Sequence, residues 1–178
     1  MASAFGHALV AITIGTTFNK KIVNWKFWTL GIVCSILPDA DVITFKFGIP
    51  YESFWGHRGF THSFLFALIM GVLFTSLFYR LQLKKLSSYL LILYFTLCTA
   101  SHSILDAMTN GGLGVAFFSP WDNSRYFFPW RPVKVSPIGI DSFLSEWGMK
   151  VIMSEIVWIG IPCALFILCT RIMKRLDS

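Results

Sequence analysis

Apolar residues in this chain gather into five long runs with short polar interruptions between them, and each run reads as a helix able to enter a lipid bilayer. The first extends from about Ala4 to Phe18, diluted by Gly6, Gly15 and several threonines, and stops at Asn19-Lys20-Lys21. The second begins near Phe27 and breaks at Leu37-Pro38-Asp39-Ala40-Asp41, where proline disfavours helical geometry at Leu37 and two carboxylates follow. The third, roughly Phe64 to Tyr79, is nearly charge-free, and Thr61 stands where an N-cap would open it. The fourth, roughly Leu86 to Met108, starts apolar and turns polar over Ser101-His102-Ser103-Ile104-Leu105-Asp106. After Asn110-Gly111-Gly112 comes a long loop carrying Trp121, Tyr126, Phe127, Phe128 and Trp130; a fifth run, about Val151 to Thr170, ends in Arg171, Lys174 and Arg175. Several runs are shorter than the roughly 20 residues an isolated spanning helix needs, so interfacial ends or shielding within a bundle must help them. The expected fold is all-α: one polytopic membrane helix bundle over residues 1–178, with about five spans and a long aromatic outer loop.

Composition agrees with this pattern. Of 178 residues, 55% are hydrophobic and 13% charged, too apolar for a soluble domain of this length. The net charge of +6 would suit nucleic acid in a soluble protein, but the cations do not collect on one segment with interleaved aromatics, and no nucleic-acid partner is expected. They follow the positive-inside rule instead. One alternation of spans puts Lys20, Lys21, Lys26, Arg80, Lys84, Lys85, Arg171, Lys174 and Arg175 on a single face, all in short loops or at the tail. That predicts a membrane protein of five spans with its amino terminus outside and its carboxyl terminus in the cytoplasm. The amino terminus has neither a basic leader nor a small-residue cleavage site and reads as mature chain. Cys34, Cys98, Cys163 and Cys169 lie in apolar runs without CxxC spacing and read as small core residues.

The same topology brings every histidine to the outer side. His7 falls near the outer end of the first span, Asp39 and Asp41 at that of the second, His57 and His62 in the outer loop, and His102 with Asp106 at that of the fourth. On a helix, His102 and Asp106 project from one face, either to hold one ion together or to pair with each other. Asp39 and Asp41, two apart after a proline, repel unless a cation neutralises them or they end in solvent. His57 lies between Gly56 and Gly59, which leave it on a mobile loop, and it is our candidate general base, kept neutral by the cation of Arg58. His7, Asp39, Asp41, His62, His102 and Asp106 are the candidate metal ligands. A mixed nitrogen and oxygen set suits zinc first and manganese second.

The ordered segments Leu37-Pro38-Asp39-Ala40-Asp41, His57-Arg58-Gly59-Phe60-Thr61-His62-Ser63 and Ser101-His102-Ser103-Ile104-Leu105-Asp106-Ala107-Met108-Thr109-Asn110-Gly111-Gly112, with an early His7, resemble the bacterial membrane-bound metal-dependent hydrolases, also called the LexA-binding, inner-membrane-associated hydrolase family. The resemblance runs to about Gly114. It implies a multi-pass inner-membrane protein with a hydrolytic metal site at His7, Asp39, Asp41, His57, His62, His102 and Asp106. The His102-x-x-x-Asp106 element is also similar to that of the zinc-dependent phospholipase C and P1 nuclease group, but the further HxxxE of that group is missing.

Two functional classes follow. In the first, a metal-bound hydroxide attacks a phosphoester or ester of a lipid at the outer face, with Arg58, Arg125 and Arg131 either holding a phosphate or anchoring the chain to head groups. In the second, the same ligands serve metal transport or sensing, which would require polar residues to continue toward the cytoplasmic side. The substrate, the number of ions and the oligomeric state are not readable from the sequence.

Overall fold

The computed structural model describes residues 1–19, 21–79, 85–137 and 139–176. Of the cations that set the expected topology, Lys20, Arg80 and Lys84 lie outside them. Five helices carry the bulk of the fold: α1 (Ala4–Gly15), α2 (Trp25–Ile36), α3 (Phe64–Tyr79), α4 (Leu86–Ala107) and, after the single turn of α5 (Ile140–Phe143), the continuous helix Glu146–Leu176. That last helix is α6 (Glu146–Glu155), one π turn over Ile156–Gly160, and α7 (Ile161–Leu176). Among the described residues there is no strand, only the isolated bridges Thr109–Val133 and Val115–Tyr126. The architecture is the expected all-α bundle. Two helices are long and apolar enough to cross a membrane, α4 with 22 residues and Glu146–Leu176 with 31; α1 and α3 are shorter apolar helices.

Local chemistry explains the boundaries. The side chain of Ser3 accepts the amide of Gly6 and that of Asn24 accepts the amide of Phe27, so both α1 and α2 open on a capped turn. The chain does not leave helical geometry at Pro38: it tightens into a 3-10 helix, Leu37–Phe47, with the proline at its start, where a missing amide costs nothing. Gly48, with φ of 70°, ends it. The cap of α3 differs from expectation. A short 3-10 turn, Phe60–His62, takes up Thr61, and Ser63 Oγ accepts the amide of Phe66 instead.

α4 is the central helix, packed against α1, α2 and α3. On its inner face Tyr94 and Phe95 join Phe27, Leu30, Cys34, Leu91 and Cys98 in the main core, with the Phe27 and Tyr94 rings stacked at 3.8 Å. Of the cysteines, Cys34, Cys98 and Cys163 are buried as expected, while Cys169 faces outward. The aromatic loop folds back over the carboxyl-terminal end of α4. Phe128 N donates to Ala107 O, Ala116 N to Arg58 O, and Phe117 O accepts Phe64 N.

Candidate metal centre

Above the core, the polar last third of α4 meets α1, the 3-10 segment and the turn before α3. His102 hangs from α4 with its Nδ1 2.7 Å from Ser35 O at the end of α2. A carbonyl can only accept, so Nδ1 carries the proton and Nε2 presents a lone pair. His62 is held the same way: Nδ1 is 3.1 Å from Thr61 Oγ1, whose hydroxyl donates to Asp41 Oδ2 at 2.6 Å. The Nε2 atoms of the two rings then face each other at 3.1 Å. Asp39 Oδ1 lies 3.2 Å from His102 Nε2 and 3.7 Å from His62 Nε2. Asp106 Oδ2 lies 3.6 Å from His62 Nε2 and 3.9 Å from His102 Nε2. Four ligand atoms from three segments, the 3-10 helix, the turn before α3 and α4, thus converge.

These residues fit a divalent ion. Metal bonds of 2.0–2.2 Å in a tetrahedron place the ligand atoms roughly 3.3–3.6 Å apart; the separations that involve an imidazole nitrogen run from 3.1 to 3.9 Å, and all four atoms lie within 4.8 Å of one another. Asp39 Oδ1 is buried without a hydrogen-bond partner, which costs free energy unless something positive lies beside it, while Asp106 Oδ2 is paired with Arg58 Nε at 2.9 Å. Burial by itself would push the imidazolium of His62 down, but the carboxylates of Asp106, Asp39 and Asp41 hold its pKa up at about 10. The field that retains a proton there retains a metal cation equally, in competition for the same lone pair.

The remaining expected residues surround this group. His7 stacks on His102 with ring centroids 3.8 Å apart, its Nε2 3.5 Å from Asp106 Oδ1 and both nitrogens unpartnered. Asp41, expected beside Asp39 as a ligand, is turned away from the four converging atoms. Its Oδ1 takes His57 Nδ1 at 2.6 Å and its Oδ2 takes Thr61 Oγ1 and Arg58 N. With His57 and His62 it forms a second cluster of metal-ligand type that shares His62 with the first. Burial would raise its carboxyl, but the hydrogen bonds from His57 and His62 hold it well below the usual carboxylate range.

His57 is not on an open loop. It is buried and hydrogen-bonded, because Gly56 and Gly59 let the turn close so tightly that a Cβ at either would come within 2.3 Å of a backbone carbonyl oxygen. Nor does the cation of Arg58 serve His57 or a phosphate. Arg58, at φ of 63°, is buried with Nε 2.9 Å from Asp106 Oδ2, Nη1 on Gly111 O and Nη2 on Thr109 Oγ1. Arg125 is committed as well, donating to the carbonyls of His57, Tyr51 and Ser53. Both arginines tie the loops over the centre and have no fork left for a substrate. Arg131 is exposed and lies over the Phe127 ring.

The sequence reading passed over Glu155. Its carboxylate receives Ser3 N and Ser3 Oγ, both at 2.5 Å, and so braces the residue that caps α1 one turn below His7. A lone carboxylate within the apolar run of the last helix was the available signal.

A family model, the YdjM inner membrane protein, matches residues 1–177. The chain belongs to that family. It is similar to the inner membrane protein YbcI of Escherichia coli (strain K12), 37% identical over 162 residues that cover 91% of this chain and 92% of the relative. No solved structure matches it. Membership in an inner-membrane family gives the exposed aliphatic and aromatic side chains of α3 and α7 a lipid environment.

Proposed function

We propose that this chain is a membrane-embedded, metal-dependent hydrolase that cleaves a phosphoester or ester of a lipid at the outer face of the inner membrane. The observation that carries the proposal is the convergence of His62 Nε2, His102 Nε2, Asp39 Oδ1 and Asp106 Oδ2, with Asp39 Oδ1 buried and without a hydrogen-bond partner. Zinc suits this set best and manganese next. The ion would supply Lewis acidity and a bound water acidic enough to lose its proton near neutral pH.

The chain's own residues then divide the work. Asp39, His62, His102 and Asp106 are the ligands, and Ser35 O and the Thr61–Asp41 pair fix the two imidazoles in the tautomer that leaves Nε2 bare. His7 stacks on His102 with its Nε2 3.5 Å from Asp106 Oδ1, beside the four rather than among them. His57, oriented by Asp41, is the proton acceptor: with Nδ1–H given to the carboxylate, its Nε2 is free to take the proton of the attacking water and return it to the leaving oxygen. A transport pathway is not favoured, because the layer below the centre is packed with Phe27, Tyr94 and Phe95.

The test is hydrolysis of extracted membrane lipids by purified, metal-loaded protein. Wild type should release product and His57→Ala should lose about two to four orders of magnitude of rate while keeping its metal. A metal-loaded wild type that cleaves no ester or phosphoester would sink the reading.

A further inference from the structure

The four converging side chains are not equally enclosed. His62, His102 and Asp106 are fully buried, whereas Asp39 is 11% exposed. Asp39 is therefore the member of the centre that meets the surroundings, and what it meets is a shallow cleft of about 460 Å³ between the flank of α2 and the start of the 3-10 segment. Apart from Asp39 the cleft is lined by Ile32, Val33, Ile36, Leu37 and Ala40. Passing these carbons strips hydration from an ion or a polar solute, while an alkyl chain gains by leaving water. On the elements that form the cleft, apolar side chains are exposed from Val33, at 42%, to Ile43, at 54%, and Phe47, at 75%. In a chain of an inner-membrane family, lipid covers such a surface. On the opposite side, Arg58, Arg125 and the folded aromatic loop close the centre.

We infer that this cleft seats an acyl chain, and that the centre takes its substrate sideways from the bilayer: a lipid whose tail lies along α2 and whose ester or phosphoester reaches Asp39. The substrate role rests on the hydrolytic reading above; occupancy of the cleft does not.

The experiment keeps the two apart. Purified protein in detergent is titrated with a phospholipid carrying a diazirine in its acyl chain, irradiated, and the labelled residues are mapped by mass spectrometry. Wild type should show saturable labelling between Ile32 and Leu37. Ala40→Trp, which fills the cleft, should weaken it about tenfold, as expected from the loss of about two buried methylenes, with metal content unchanged. Leu73→Trp, on the exposed flank of α3, should not. Where the protein hydrolyses lipids, Ala40→Trp should raise KM for long-chain substrate and leave a short-chain ester untouched. Unsaturable labelling spread over all lipid-facing positions, or cross-links joining two copies of the chain across the cleft, would overturn the acyl seat. Saturable labelling without turnover would retain the seat and overturn the hydrolytic role.

Discussion

Asp41 illustrates how far a residue's neighbours can change its reading. Sequence spacing treats it as the twin of Asp39, because both follow Pro38. The 3-10 geometry separates them: Asp39 faces His62 and His102, while Asp41 faces His57, Thr61 and the Arg58 amide. Asp41→Asn should then keep the fold and lower metal affinity by about 10–100-fold, the usual consequence of disturbing a ligand's orienting partner. Competition with a chelating indicator measures this, and an unchanged affinity would mean that Asp41 orients nothing. Which residues gather at the centre was legible, since histidine and aspartate in an apolar chain need a reason to be there. Their division into inner and outer roles was not, because it depends on tautomers set by Ser35 O and Thr61 Oγ1, neither of which stands out in the sequence. The arginines were misread for a related reason. A basic residue near an interface predicts a head-group contact only if its fork is free, and at Arg58 Asp106 and two loop oxygens take it up.

At the scale of elements, helix positions followed from hydrophobic runs and caps, and α3 and α4 start where the sequence puts them. How tightly they pack depends on single glycines. A Cβ at Gly71 would lie 2.1 Å from Thr96 Oγ1 and 2.7 Å from Ile92 O, so α3 and α4 touch almost backbone to backbone there. Gly71→Val should therefore push the pair apart and destabilise the protein by about 1–3 kcal/mol. Gly160→Ala, where the nearest atom is 3.7 Å away, should change thermal stability in detergent little. Equal losses in the two variants would show that close packing at Gly71 is not what holds the helices. The bracing of Ser3 by Glu155 was not legible, because it joins two ends of the chain 152 residues apart.

For the molecule as a whole, hydropathy specified a helical bundle of an inner-membrane family, and the position of basic residues gives an expected orientation with the amino terminus outside. The number of crossings follows less directly, since α1, α2 and α3 are short and depend on their neighbours for burial. With an external centre, Glu52→Cys in a Cys169→Ala background should react with an impermeant thiol reagent from outside the inner membrane, and Lys21→Cys should be protected. The reverse pattern would invert the topology and place the centre on the cytoplasmic side. The central claim, that His62, His102, Asp39 and Asp106 form a metal centre, is tested most directly by the divalent metal content per chain of purified wild type and His102→Ala. The account predicts about one ion per wild-type chain, held by a four-ligand set, and far less in a folded His102→Ala protein. A wild type that carries no metal after loading, or a His102→Ala variant that retains it in full, would contradict the account.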